Sequence, residues 1–182
     1  MRVLYHGGAT LRARELLHVD RALRELLEKT GAEVVTIPDE KPMAEVLFNL
    51  GFREEARRVG EWVKREAERL APDVMVSPYA VTPFLWRKAF PEAFGLEMPF
   101  PVKHIAEFLW DALGGKDIKF KEIPVKKAFL HHGCILARQM GVYKEPRELL
   151  KAIPNVELED QRLVSIPGSP PDLRAPPPVL LA

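Results

Sequence analysis

At 182 residues the chain can form one large α/β domain or two small ones, and its 47% hydrophobic content suffices for a buried core. A formal net charge of +1, with Lys and Arg interleaved with Glu at i, i+4 spacing, leaves no basic patch for nucleic acid. The single cysteine excludes an internal disulfide framework and cannot supply the set of thiolates a cubane iron–sulfur cluster requires.

The amino terminus, Met1-Arg2-Val3-Leu4-Tyr5, runs straight into a strand without a signal-peptide pattern, and no apolar run could span a bilayer. A cytoplasmic protein with no direct membrane insertion is expected. Plentiful Arg, with Asn49 and Asn155 the only asparagines and Gln139 and Gln161 the only glutamines, suggests a thermophilic source.

In chain order, Arg2 to His6 reads as a first buried strand, and Gly7-Gly8 permits a tight turn or a close backbone approach. An anion or cofactor cradle is the functional alternative, but two glycines lack the longer dinucleotide spacing. Leu11 to Lys29 predicts an amphipathic helix with Leu16, Val19, Leu23, Leu26 and Leu27 on one side, closed by Thr30-Gly31. Ala32 to Ile37 is the second strand, and the short return implies a parallel pair with a right-handed crossover. A second helix, Arg53 to Leu70, repeats Ala56, Val59, Val63, Ala67 and Leu70 at three- and four-residue intervals.

Pro72-Asp73 then opens a third strand, Val74 to Ser77. Thr82-Pro83 has the pattern of an N-cap followed by proline at the first helical position, so a helix is expected over Pro83 to Phe90. His104 to Leu113 predicts a short amphipathic helix ended by Gly114-Gly115, with His104 capping or packing. The charged run Lys116 to Lys127 connects to a second module.

Lys126 to Leu130 has the apolar, partly β-branched character of a buried strand and leads into His131, His132, Gly133 and Cys134. The carboxyl ends of strands are where α/β folds keep their sites. Pro146 suits the first turn of a helix, and Pro154 closes that helix.

These residues carry a resemblance. His131, Cys134, Leu136, Arg138, Gly141-Val142-Tyr143, Glu145-Pro146-Arg147-Glu148-Leu149-Leu150 and Ala152-Ile153-Pro154 match, without gaps, a half-module of the cysteine-rich (CCG) domain family. That family includes the CCG-bearing subunit of heterodisulfide reductase and the iron–sulfur subunits of glycolate, lactate and anaerobic glycerol-3-phosphate oxidoreductases. The resemblance extends over about nine tenths of the chain, because the first module's motifs have counterparts at the same spacing. Ala9 stands at the first cluster-cysteine position. Pro42, Met43 and Ala44 stand on a Cys-Cys-Gly, and Tyr79 and Thr82 on a Cys-x-x-Cys.

In the family those cysteines hold an iron–sulfur cluster. Alanine, proline, a lone methionine thioether, tyrosine and threonine do not replace a thiolate set. In the second module Cys134 remains, Ile166-Pro167-Gly168 stands where a second Cys-Cys-Gly would fall, and no final Cys-x-x-Cys follows. The resemblance therefore implies a degenerate member without its cluster.

Three constellations could still carry chemistry. His6, His131, His132 and Cys134 could bind zinc if the strands ending at His6 and His131 were sheet neighbours, although the spacing is no recognised zinc pattern. Cys134 could be a reactive thiol activated by His131 or His132 or by the helix that follows; an inert, half-buried cysteine is the plain alternative. Arg138 and Arg147 could bind a carboxylate or phosphate, or simply pair with Glu145 or Glu148. Ser165 to Pro178 is proline-rich, ends in Val179-Leu180-Leu181, and reads as an extended arm that docks on its own body, on a second copy or on another subunit.

The expected fold is α/β, a Rossmann-like, mainly parallel sheet with flanking helices in two pseudo-repeated modules, the second truncated. The expected divisions are residues 1–115, 116–164 and 165–182. The expected role is a non-catalytic structural or regulatory subunit of a flavin or iron–sulfur oxidoreductase, or a homodimer, holding no metal or cofactor. The alternative is a thiol- or zinc-dependent redox enzyme or sensor using Cys134 with His131 or His132.

Overall fold

A computed structural model describes residues 1–8, 11, 13–38, 44–114 and 120–160. The chain divides into two compact units, Met1–Gly114 and Gly115–Ala182.

The first unit is built on a four-stranded, fully parallel sheet in the order β2-β1-β3-β4. Its strands are β1 (Arg2–Tyr5), β2 (Glu33–Val35), β3 (Val74–Ser77) and β4 (Val102–His104). Every residue of β3 is buried, as expected for a central parallel strand covered on both faces. Helix α1 (Leu17–Lys29) links β1 to β2, and α2 (Ala44–Asn49) with α3 (Arg53–Leu70) leads to β3.

Helix α3 buries Ala56, Gly60, Val63 and Ala67, a stripe at the helical repeat. Gly60 lies where a methyl group would come within 2.9 Å of both Phe90 Cε2 and Leu96 Cδ2, so the absent side chain sets the packing distance. Against this stripe Phe90 is fully buried, with Trp86 edge-on at 5.0 Å and Phe48 at 5.8 Å between ring centroids.

After β3 the chain is continuously helical through α4 (Val81–Phe84), a π-helical turn (Leu85–Ala89) and α5 (Phe90–Phe94), before β4 and α6 (Ile105–Leu113). The helix thus begins two residues before the expected Pro83, with Ala80 as N-cap and Thr82 inside it making no cap bond. Pro83 is tolerated because it still falls in the first turn, where an N–H has no acceptor within the helix. The helix also outlasts Phe90: the wider turn, in which Phe90 N–H reaches back to Leu85 O, precedes Pro91 and accommodates a ring that lacks a donor.

Other expectations shift as well. The first helix starts at Leu17 and not Leu11, preceded by a 3-10 turn at Arg14–Leu16, and β2 is shorter than Ala32 to Ile37. The last helix is Ile105–Leu113, because Val102–His104 pairs with β3 as a strand and His104 becomes its N-cap.

The second unit contains a parallel pair, β5 (Lys127–Leu130) with β6 (Glu157–Asp160), joined through a π-helical turn (Cys134–Gln139) and α7 (Lys144–Lys151). Strand β5 is not buried as its apolar character predicts, for Lys127 and Phe129 are exposed and Ala128 and Leu130 only half-buried. Pro146 lies in the first turn of α7 as the sequence predicts. Strand β6 has no counterpart among the predicted elements. Residues 120–126 have no regular structure, and the proline-rich arm lies outside the described residues.

Candidate functional site

The chain runs outward from β1 to β2 and returns to the other side of β1 at β3, so the strand order reverses between β1 and β3. Ligands of open α/β sheets bind at the carboxyl ends of the strands flanking that point. Here those ends are Tyr5-His6-Gly7-Gly8 and Ser77-Pro78-Tyr79.

The edge of β1 is closed by polar bonds. The Tyr5 hydroxyl donates to Asp20 Oδ1 at 2.9 Å, and Arg24 Nε donates to Asp20 Oδ2 at 2.9 Å. The Arg24 guanidinium lies 5.0 Å from the centroid of the Tyr5 ring. A methyl group on Gly7 would meet Asp20 Oδ1 and Tyr5 Cε1 at 3.0 Å, so this glycine serves a close approach to a carboxylate. An anion cradle at Gly7-Gly8 is electrostatically opposed by the Asp20 charge. Gly8 has φ +66°, and the Tyr79 ring lies against it, 3.1 Å from where a Cβ would stand.

The edge of β3 is closed too. Ser77 is fully buried and its Oγ accepts from Tyr79 N–H at 3.2 Å; Thr82 is also buried. Of the expected cluster-ligand positions, Tyr79 therefore meets the turn that precedes Ala9, and Thr82 sits within α4. Ala9, Pro42 and Met43 lie outside the described residues.

Of the two roles its sequence position allows, capping or packing, His104 takes the first. Its Nδ1 accepts from Ala106 N–H at 3.2 Å, its backbone N–H donates to Glu107 Oε2 at 2.9 Å, and its Nε2 is 3.0 Å from Pro78 O. Glu107 also receives Arg87 Nη1 at 3.0 Å. Burial pushes the His104 pKa below the ordinary imidazole value, against the opposing influences of the Pro78 bond and the Glu107 charge.

The edge of β5 is different. His131 and Cys134 are exposed, whereas His132 is buried with its Nε2 3.2 Å from Arg147 Nη2. A guanidinium can only donate, so His132 Nε2 is the acceptor and its lone pair is engaged by Arg147. Arg138 is exposed on the π-helical turn, and Arg147 is half-buried on α7, meeting His132. Glu148, one of the expected arginine partners, receives Lys151 Nζ at 3.1 Å.

Two expectations need correction. The strands ending at His6 and His131 are not sheet neighbours: β1 is flanked on both sides by β2 and β3, and β5 pairs with β6 in a separate sheet. Cys134 is exposed and not half-buried, because it begins the π-helical turn at the end of an open loop. Among the described residues, no group of three or more His, Cys, Asp or Glu could hold a metal ion. The Tyr5–Asp20–Arg24 cluster is absent from the sequence-based expectations; the i, i+4 pair Asp20 and Arg24 is its visible half.

The parallel β5-α7-β6 unit, with one cysteine after its first strand, defines a CCG-type module. Residues 128–161 match the family model described as CCG, cysteine-rich domain. The chain is a relative of oxidoreductase subunits. It is 40% identical over 68 residues to a dihydromethanophenazine:CoB–CoM heterodisulfide reductase subunit of Methanosarcina mazei, covering 37% of this chain and 17% of that protein. It is 23% identical over 151 residues to lactate utilization protein A 2 of Bacillus cereus and 25% identical over 150 residues to lactate utilization protein A of Bacillus velezensis. Both of these alignments cover 78% of this chain and 61% of the relative. No solved structure matches. No helix among the described residues is long and apolar enough to cross a membrane.

Proposed function

We propose that the chain is a cluster-free, non-catalytic subunit of an oxidoreductase complex, acting in the cytoplasm as a structural or regulatory component beside a flavin or iron–sulfur partner. The observation that carries this reading is the chemistry at the cluster-ligand positions of the first unit. Tyr79 lies against Gly8, Thr82 is buried in a helix, and the whole sequence holds one cysteine. Iron in such clusters takes several thiolates, so this donor set does not fit one. The relatives' names supply the class of complex, heterodisulfide reduction or lactate utilization, and the partner belongs to one of these electron-transfer classes.

The test is purification of the native protein with its companions. The expected result is a complex whose flavin or iron–sulfur absorbance belongs to the other subunit, while the isolated chain is colourless and free of iron and acid-labile sulfide. A brown isolated chain with stoichiometric iron overturns the reading. The exposure of Cys134 favours a second reading, in which its thiol performs redox or zinc chemistry in the chain's own right. Retention of full activity of the complex in Cys134→Ser, with unchanged zinc content, removes that alternative.

A further inference from the structure

We propose that His104 is a pH-responsive clamp on the loop after β3, closed while its imidazole is neutral and released when the ring takes up a second proton. Both ring nitrogens face backbone groups, and the two groups are of opposite kinds. Ala106 N–H, 3.2 Å from Nδ1, is a donor and requires a lone pair there; Pro78 O, 3.0 Å from Nε2, is an acceptor and requires a proton there. The neutral Nε2–H tautomer satisfies both, and no other protonation state does. A proton added to Nδ1 would point at the Ala106 N–H, replacing the helix cap with two opposed donors.

The clamp spans three elements. His104 ends β4, caps α6 and holds Pro78 at the carboxyl end of β3. Pro78 precedes Tyr79, whose ring closes against Gly8 at the point where the strand order reverses. Release of the Pro78 carbonyl frees that loop from β4 and lets Tyr79 leave Gly8, opening the crevice between β1 and β3.

The charges around the ring leave the imidazolium little compensation. From α6, Glu107 is already engaged by Arg87 of the helical stretch after β3, and Asp111 is held by Lys103 of β4 at 2.6 Å. The β3 loop presents the Tyr79 phenol, and α4 contributes no charged side chain. Burial of the ring acts in the same direction as this geometry.

The experiment is an NMR titration of the full chain from pH 7.5 to 5, following the imidazole nitrogens together with backbone amide exchange corrected for the intrinsic effect of pH. At pH 7.5 His104 should show the Nε2–H tautomer. On acidification the amides of residues 79–82 and Ala106 should lose protection about fivefold, with the midpoint of the ring titration, while those of β1 and β2 hold theirs. His104→Asn keeps a capping oxygen and cannot titrate, so its loop protection should be flat with pH. The Nδ1–H tautomer at neutral pH, loop exchange independent of ring protonation, or persistent pH dependence in His104→Asn overturns the clamp. Should that variant fail to fold, the coincidence of ring and loop midpoints in the unaltered protein decides the matter alone.

Discussion

The carboxyl ends of β3 and β5 are the same kind of place, a strand running into a helical turn, and the chain treats them oppositely. After β3 the residues are taken inside: Ser77 and Thr82 are buried, Tyr79 lies on Gly8, and His104 ties the loop to β4. After β5 they face outward, with His131 and Cys134 exposed and only His132 drawn in against Arg147. A side chain that replaces a cluster thiolate must satisfy its own polar groups and volume, and a packed, all-buried strand end does this with local hydrogen bonds. A site that keeps its cysteine on an exposed turn has no such need.

The contrast is broken most forcefully through phenylalanine. Phe90 is fully buried in the first unit, whereas Phe129 is 64% exposed in the second. Phe90→Ala should destabilise the first unit by about 3–5 kcal/mol. Phe129→Ala should change the stability of the second by less than about 0.5 kcal/mol. Trp62, Trp86 and Trp110 all lie in the first unit, so urea unfolding followed by tryptophan fluorescence reads it alone, and circular dichroism reads the sum. Equal losses from the two substitutions would refute the division into a packed unit and an open one.

Gly60→Ala sharpens the same point at the α3 seam. Alanine favours a helix over glycine by about 1 kcal/mol. Yet its methyl would come within 2.9 Å of Phe90 Cε2, and the Phe90 ring is fully enclosed and has little room to yield. Overpacking of that kind costs about 1–3 kcal/mol, so the net expectation is a loss of roughly 1 kcal/mol in the same fluorescence assay. A stabilised variant would mean the seam is looser than described.

His104→Ala should cost about 1 kcal/mol at neutral pH through the lost cap. Its pH dependence has a definite sign. The folded pKa lies below the unfolded value of 6.5, so on acidification the unfolded chain takes up a proton first. The contribution is complete above about pH 6.5 and is lost as pH falls through the depressed folded value. Urea midpoints measured between pH 8 and 5 should therefore fall for the unaltered protein and fall less steeply for the variant.

How much of this is legible in the sequence follows from length and period. Arg53–Leu70 and Val74–Ser77 can be read to the residue because a long stripe at helical spacing and an apolar run opened by proline are each unambiguous. The three-residue β4 cannot, since Val102-Lys103-His104 forms a strand only because β3 offers it an edge. Strand β6 escapes for the same reason: Glu157-Leu158-Glu159 is polar and short, and its pairing with β5 is decided by tertiary contact. At the site, the residue types standing where cysteines would be are readable by spacing. That Tyr79 meets Gly8, and that Asp20 approaches Gly7, depends on sheet order, which no local pattern encodes.

The smallest effect concerns Cys134. Because the thiol is exposed, removing it leaves no cavity, and Cys134→Ser should shift the unfolding midpoint by less than about 0.5 kcal/mol in equivalent stability. The same exposure predicts that a thiol reagent added to the native protein modifies one group per chain without denaturant. Modification only after unfolding would place Cys134 in a closed site like that of β3, and the difference between the two strand ends would disappear. Rapid native modification that falls off steeply below neutral pH would mark a thiol of ordinary acidity. Modification that persists into the acid range would mark a stabilised thiolate.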